Sequence, residues 1–417
     1  MFKNHFRWFV IFMLFLICVI NYIDRASLSF AIPIIDQTFH FSNNQKGLLL
    51  GAFGIGYACS TFLGGLLADK FGAKITLAWS AVLWSMATFS FAFAHDFGLF
   101  IVSRVLLGLA EGPVFPCLAK AISDWLPEKE RVRALSFSLI SVPFSLAISG
   151  PIVSELIMFT SWRNCYYILA TISVFWIPLW LFFFTNKSHQ SRFLSNNEKE
   201  ILAHAGKTNR QEKMHLLSIF KNKTLMANNF AYFSFGFYMF FFMTWLPSYL
   251  ESEYHLSIRN TAYFTMLPWL FASIMMYISG QISDKLLIHT NNLRKSRTLP
   301  ILAMLILQTL CIIPILIWNQ NSTVALTFIC LAIGFTMAPN GIYYSVNSDI
   351  TKERCASSSG IMDLFFAISG FIAPSLTGLI LNYMNNYNMV FYGLISINIM
   401  TIIIVYLFHN TYKNVQI

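Results

Sequence analysis

Five ionisable residues fall inside long apolar runs of the chain: Asp24, Arg25, Arg104, Glu111 and Asp363. A charged side chain at membrane depth costs about 2.5–3.5 kcal/mol on insertion scales, so each of these calls for a partner or a function. Arg25 presents a planar fork of donors that suits a carboxylate and never deprotonates. It is expected to face a central cavity and hold the carboxylate of a small anionic solute. Arg104 and Glu111 are seven residues apart, two helical turns or about 10 Å along one face, so both can line one cavity without touching. Apolar surroundings disfavour the charged form of Glu111 and a nearby Arg favours it, which suits a proton switch. The alternative is a permanently ionised Glu111 in a structural salt bridge. For Arg104, contact with substrate or Glu111 stands beside a purely structural role. Asp24 points about 100° around the helix from Arg25. It is expected to turn to a neighbouring helix, hold Arg25 or another partner there, and take a second proton. A buried Asp–Arg network that only orders helices is the alternative. No His lies deep in any apolar run, so a proton relay has to use carboxylates.

Tyrosines and an amide complete the candidate set. Tyr22, three residues before Arg25, shares its helix face. Tyr57 sits among small residues in GAFGIGYACS. A phenol offers a ring to a carbon chain and a hydroxyl to a polar group. In APNGIYYS, Pro339 and Gly341 free backbone groups inside an apolar run, which fits a bent helix lining a cavity. Asn340 and Tyr343 are one turn apart and are expected to reach the substrate. Aromatic packing and interhelical hydrogen bonds are the competing roles. HExxH, GxSxG and a phosphate loop are absent, and the seven Cys are scattered without a CxxC. An enzyme, a metal site and a cofactor are not expected.

The elements that must position these residues are membrane helices. Of 417 residues, 56% are hydrophobic and 11% charged, against about 25% charged in soluble domains. The mean hydropathy is +0.61. The net charge of +10 sits in short clusters between apolar runs and forms no nucleic-acid face. Runs near 8–34, 45–67, 74–95, 98–121, 134–158, 164–184, 226–250, 260–283, 298–318, 321–345, 357–382 and 388–408 each suffice to span a bilayer, which takes about 20 apolar residues. The first is too long for a signal-peptide core and is expected to be retained. With both termini cytoplasmic, all but five of the 28 basic residues fall on the cytoplasmic side, as the positive-inside rule asks.

Residues 186–223 interrupt the pattern with eight Lys or Arg against three Glu. They are expected to link a six-helix bundle at 1–185 to another at 224–417, and LSNNEKEILAHA can form a surface helix. The halves echo each other: GLLADK follows the second run and GQISDK the eighth, while SDWLPEKER follows the fourth and SDITKER the tenth. Such repetition marks a two-bundle transporter with its site between the halves. The repeated loops are expected to gate the inner mouth through Asp69, Lys70, Arg131, Asp284 and Arg354, by capping a helix dipole or pairing with Arg across the halves. Glu130, Arg133 and Glu353 belong to the same network.

GLLADKFGAK resembles the loop signature of the major facilitator superfamily. NYIDRASLS and RVLLGLAEGPVFP resemble the anion:cation symporter family within it, which includes bacterial carriers of hexuronate, glucarate and galactonate. The resemblance implies the major facilitator fold: an all-α protein of twelve transmembrane helices in two pseudo-symmetric six-helix bundles. It also implies proton coupling at Glu111 and substrate contacts at Tyr22 and Tyr57. Two features depart from the family. Asp363 stands where sugar-acid carriers place Asn, and Val142 and Pro143 stand where relatives place Gln and an aromatic residue.

The expected function is proton-coupled symport of a small organic anion, such as a sugar acid, by a monomer in the cytoplasmic (inner) membrane. Asp363 keeps an alternative open: uptake or export of a zwitterionic or amphipathic compound. Beside an anion, Asp363 has to be protonated, pair with a cationic part of the substrate, or face elsewhere.

Overall fold

The computed structural model describes residues 5–204, 216–318, 321–351 and 355–409. Among them are twelve helices long and apolar enough to cross a membrane. Spans 1–6 are Phe6–Phe39, Asn43–Phe71, Ala73–Ala92, Phe97–Trp125, Arg133–Phe159 and Trp162–Phe183; spans 7–12 are Lys223–Tyr254, Ile258–Thr290, Arg294–Ile317, Ser322–Thr351, Ser358–Met384 and Tyr387–Phe408. The number matches the sequence reading, and several spans are longer than hydropathy alone indicates. Span 1 continues past Pro33 through the AIPIIDQTF segment. Its last turns carry a carboxylate, Asp36, which meets Lys46 at 2.6 Å.

Two spans are broken at matching places. Span 4 consists of Phe97–Glu111 and Val114–Trp125, separated at Gly112–Pro113. Span 10 consists of Ser322–Met337 and Asn340–Thr351, separated at Ala338–Pro339. Proline lacks the N–H that a helix interior needs. Each break therefore ends one ladder just before a candidate site residue or just after it: Glu111 closes the first segment of span 4, and Asn340 opens the second segment of span 10.

Spans 2 and 3 run into each other across Gly72, whose φ is +82°. Residues with a side chain rarely adopt that conformation. The turn is held by Asn186, which follows span 6. Its Oδ1 accepts from the Lys74 N–H at 2.8 Å, and its Nδ2 donates to Phe71 O. A Cβ at Gly72 would run into this amide.

Packing divides the chain into two compact units. The first takes the chain up to Ser27, then Ala52–Ser145, then Glu155 into the linker; the second takes Leu28–Gly51, Leu146–Ser154 and the C-terminal half. The boundary thus passes through spans 1, 2 and 5. Within the second unit, Asn43 donates to Leu381 O and Ser375 donates to Gly47 O. In the same unit span 7 is the central post, and Trp245 Nε1 on it donates to Pro374 O at 3.1 Å. Asn398 ties span 12 to Leu305 O and Thr309 on span 9, the interhelical polar contacts common in membrane bundles.

In the first unit, the linker helix Asn196–His204 is held firmly rather than lying loose on the surface. Glu198 is buried, accepts the Arg7 N–H and takes the N–H and hydroxyl of Ser195. The Ser195–Glu198 pair is a capping box.

Candidate functional site

Spans 2 and 4 cross at glycines, and this crossing shapes the first cluster. A Cβ at Gly108 would collide with Phe53 O, and one at Gly56 with Val105 O. Backbone-to-backbone approach brings the rings of Phe53 and Tyr57 over to span 1. There they enclose the Arg25 guanidinium together with Tyr22, at 4.3 Å, 4.8 Å and 4.4 Å from carbon to ring centroid. Three π faces around one guanidinium stabilise a cation away from water.

Glu111, at the end of the first segment of span 4, answers the charge of Arg25. One carboxylate oxygen, Oε2, takes Nη2 at 2.9 Å and Nε at 3.2 Å. Both side chains are wholly buried. Asn21 Oδ1 accepts a further bond from Nη2 at 3.4 Å. Glu111 therefore pairs across spans with Arg25 and not along span 4 with Arg104. Arg104 turns to span 1 instead: its Nη2 donates to Arg25 O at 3.5 Å and its guanidinium lies over Phe53 at 5.6 Å. Asp24 turns the other way, to span 6, where Ser173 donates to its Oδ2 at 3.2 Å.

The cluster is left partly unsatisfied. Arg25 Nη1, Glu111 Oε1, Asp24 Oδ1 and Arg104 Nε are buried without a hydrogen-bond partner among the described residues. Each such atom costs about 1–3 kcal/mol, more when charged. Four in one cluster is a departure from a structural ion pair, which persists when its remaining donors and acceptors are met.

The second cluster lies in the other compact unit. Tyr344 donates to Asp363 Oδ1 at 2.8 Å. The Tyr232 hydroxyl reaches Tyr344 at 3.2 Å and Asn340 Oδ1 at 3.4 Å. Tyr343 lies beside this cluster. Its ring packs against Tyr232 and Phe235, and its hydroxyl is sealed and unpartnered among the described residues. Tyr344, one position on, is half-buried and carries the contact with Asp363. A step of about 100° around the helix separates the two. The need of Asp363 for a donor was the signal that could have found Tyr344.

The repeated loop acids pair inside their own units. Lys120 stands 3.7 Å from Asp69 and 3.8 Å from Asp124. Arg297 bonds Asp284 at 3.0 Å, Asp349 at 2.9 Å and the Ser283 hydroxyl at 2.6 Å. Among the described residues each acid thus meets a cation of its own unit. Lys120 and Arg297 were not among the sequence candidates; Arg297 lies in the first turns of span 9. Arg131 donates to Leu126 O and Ser123 O, capping the end of span 4. Lys70 lies over Phe71, Glu130 pairs with Arg7 at 3.0 Å, and Arg133 covers Trp8. Arg354 and Glu353 lie outside the described residues. Among the described residues no group of three or more His, Cys, Asp or Glu is placed to hold a metal ion.

Comparison with known proteins agrees with this architecture. A family model described as Major Facilitator Superfamily matches residues 14–374. The hexuronate transporter of Bacillus subtilis (strain 168) is 32% identical, covering 91% of this chain and 89% of that protein. The probable L-galactonate transporter of Escherichia coli (strain K12) is 26% identical, over 90% of this chain and 83% of its own. The crystal structure of a D-xylose–proton symporter superposes with a TM-score of 0.75 over 97% of this chain and 98% of that one, at 13% identity. Twelve spans, an internal repeat with matched helix breaks, and this match across most of the chain lead to one conclusion: the chain belongs to the Major Facilitator Superfamily and is a multi-pass membrane transporter, not an enzyme.

Proposed function

We propose that the chain is a proton-coupled symporter of a small organic anion, such as a sugar acid, working by alternating access as a monomer in the cytoplasmic membrane with both termini inside. The observation that carries this reading is the Arg25–Glu111 pair, which has one donor and one acceptor unmet. While Glu111 is ionised it occupies Arg25. A proton on Glu111 cancels its charge and frees the guanidinium for a substrate carboxylate, which can engage the fork through both oxygens. Tyr22 and Tyr57 then bracket the solute, Arg104 holds the backbone of span 1, and Asp24 takes a further proton beside Ser173. Asn340, Tyr344 and Asp363 form a further polar cluster that serves transport. Asp69, Lys70, Arg131 and Asp284 act at the inner mouth.

Energetics support coupling. An anion entering a negative-inside cell moves against about 2.3 kcal/mol per charge per 100 mV. One proton per negative charge removes that cost. The hexuronate and galactonate transporters similar to this chain support a sugar acid as the anion.

The test is uptake of radiolabelled D-glucuronate and D-galactonate into proteoliposomes holding the purified protein, with and without an inward proton gradient. Accumulation that needs the gradient supports the reading. Equal uptake with no gradient refutes coupling.

A second reading, transport of a zwitterion, draws on the acid at position 363. A thermal-shift screen against sugar acids, dicarboxylates and amino acids separates the two, because a zwitterion carrier is stabilised by amino acids and loses that response in D363N.

A further inference from the structure

We infer that Asp363 is a proton-binding carboxylate of the transport cycle, and that its protonation reverses a hydrogen-bond chain ending at the break in span 10. This rests on the symport reading above and deepens it by adding a titrating site in the C-terminal half.

Asp363 lies inside span 11, where an unanswered negative charge is costly. Glu111 and Asp363 differ in how that charge is met. Glu111 has Arg25 at 2.9 Å. Asp363 has no ion pair among the described residues, and what faces it is hydroxylic: Tyr344 from span 10 directly, with Tyr232 from span 7 behind it. Tyr343, also on span 10, turns its ring to Tyr232 and Phe235 instead. Span 12 sends no hydrogen bond or ion pair to Asp363 among the described residues. The Asp363 side chain is half-buried within its span. A carboxylate at membrane depth without a cation is neutralised most simply by a proton.

The distances allow two senses of one chain. With Asp363 ionised, Tyr344 donates to Asp363 Oδ1 and Tyr232 donates to the Tyr344 oxygen, at 2.8 Å and 3.2 Å. With Asp363 protonated, its O–H donates to the Tyr344 oxygen and Tyr344 turns its hydrogen to the Tyr232 oxygen. Tyr232 then gives its own hydrogen to Asn340 Oδ1, 3.4 Å away. One proton is added to the carboxylate, the two phenol hydrogens reorient, and none is lost. Asn340 is the first residue after the Ala338–Pro339 break. Its side chain thus gains a donor in one protonation state and loses it in the other. A charge change in span 11 is felt where span 10 is weakest. The Asn that sugar-acid carriers place here accepts from Tyr344 equally well but cannot titrate.

The experiment measures the proton-to-substrate ratio of D-glucuronate transport by the full-length protein in proteoliposomes. The membrane potential at which net flux vanishes is found at a fixed pH gradient. D363N is expected to move one proton fewer per substrate than wild type. At zero potential its limiting accumulation is then about tenfold lower for each pH unit of gradient. D363E is expected to restore the wild-type ratio. Equal ratios in wild type and an active D363N overturn the inference and leave the symport reading standing. No gradient-driven accumulation in wild type refutes both.

An infrared difference spectrum between low and high pH reads the carboxyl without transport and serves if D363N does not carry substrate. A protonated-carboxyl band that is missing in D363N supports the inference, and an unchanged band overturns it. Y344F is expected to keep the ratio and shift the pH at which that band titrates; a purely structural Tyr344 leaves the pH unmoved.

Discussion

Glu111 holds Arg25 through a single carboxylate oxygen, which receives both Nε and Nη2 of the guanidinium while Oε1 and Nη1 stay unmet. A bidentate carboxylate satisfies two donors with two oxygens. The pair as it stands is therefore a weaker arrangement than Arg25 can form with a substrate carboxylate.

Removing either charge alone is expected to destabilise the protein more than removing both. E111Q or R25Q leaves one buried charge unanswered, a loss of about 3–5 kcal/mol. The double variant R25Q/E111Q recovers much of it. Thermal unfolding in detergent of the two single variants and the double one checks this cycle. Additive losses contradict the pairing.

Gly72→Ala is expected to lose about 1–3 kcal/mol, because the position has positive φ and its Cβ would meet Asn186. N186A in the same background removes the collision but not the backbone strain, so it rescues only part of the loss. Full rescue places the whole effect in the collision.

The two cations that meet the repeated loop acids, Arg297 and Lys120, are expected to differ in weight. Arg297 is nearly buried and bonds two acids and a hydroxyl at 2.6–3.0 Å. R297A leaves two carboxylates without their cation and is expected to cost about 2–3 kcal/mol. Lys120 reaches its acids only at 3.7 Å and 3.8 Å, with Asp69 largely exposed, so K120A is expected to cost under about 1 kcal/mol. Melting temperatures of the two variants, compared at low and high salt, decide it.

His409, just past span 12, gives a pH signature. Burial pushes it down to about 4 from 6.5, and its Nδ1 stands 2.8 Å from the Thr298 hydroxyl. Between those values the unfolded chain binds the proton and the folded one does not. Stability is thus full above pH 6.5, falls as the pH drops, and levels off below about 4, at most about 3 kcal/mol lower. H409N is expected to flatten the melting profile over that window. An unchanged slope assigns it to other groups.

The twelve spans were legible because crossing hydrocarbon takes long apolar runs. The five ionisable residues were legible for the same reason: they break those runs. Their pairing was not. Arg25 and Glu111 lie 86 residues apart, and sequence spacing relates only residues on one helix, which is why Arg104 was weighed as the Glu111 partner. The crossing that brings spans 2 and 4 together is set by Gly56 and Gly108, whose effect emerges only from the packing. Tyr343 and Tyr344 differ by one helical step, and pattern alone does not say which faces Asp363. Arg297 lies just ahead of the apolar run near 298–318, and sequence spacing does not reveal that Asp284 and Asp349 converge on it.

The most direct test of the central claim, that a proton on Glu111 releases Arg25 for the substrate, compares two assays of E111Q in proteoliposomes. A Gln mimics the protonated acid permanently. The variant is expected to exchange D-glucuronate across the membrane in counterflow while moving one proton fewer, so that its limiting accumulation at zero potential falls about tenfold below wild type for each pH unit of inward gradient. Gradient-driven accumulation by E111Q equal to wild type contradicts the account.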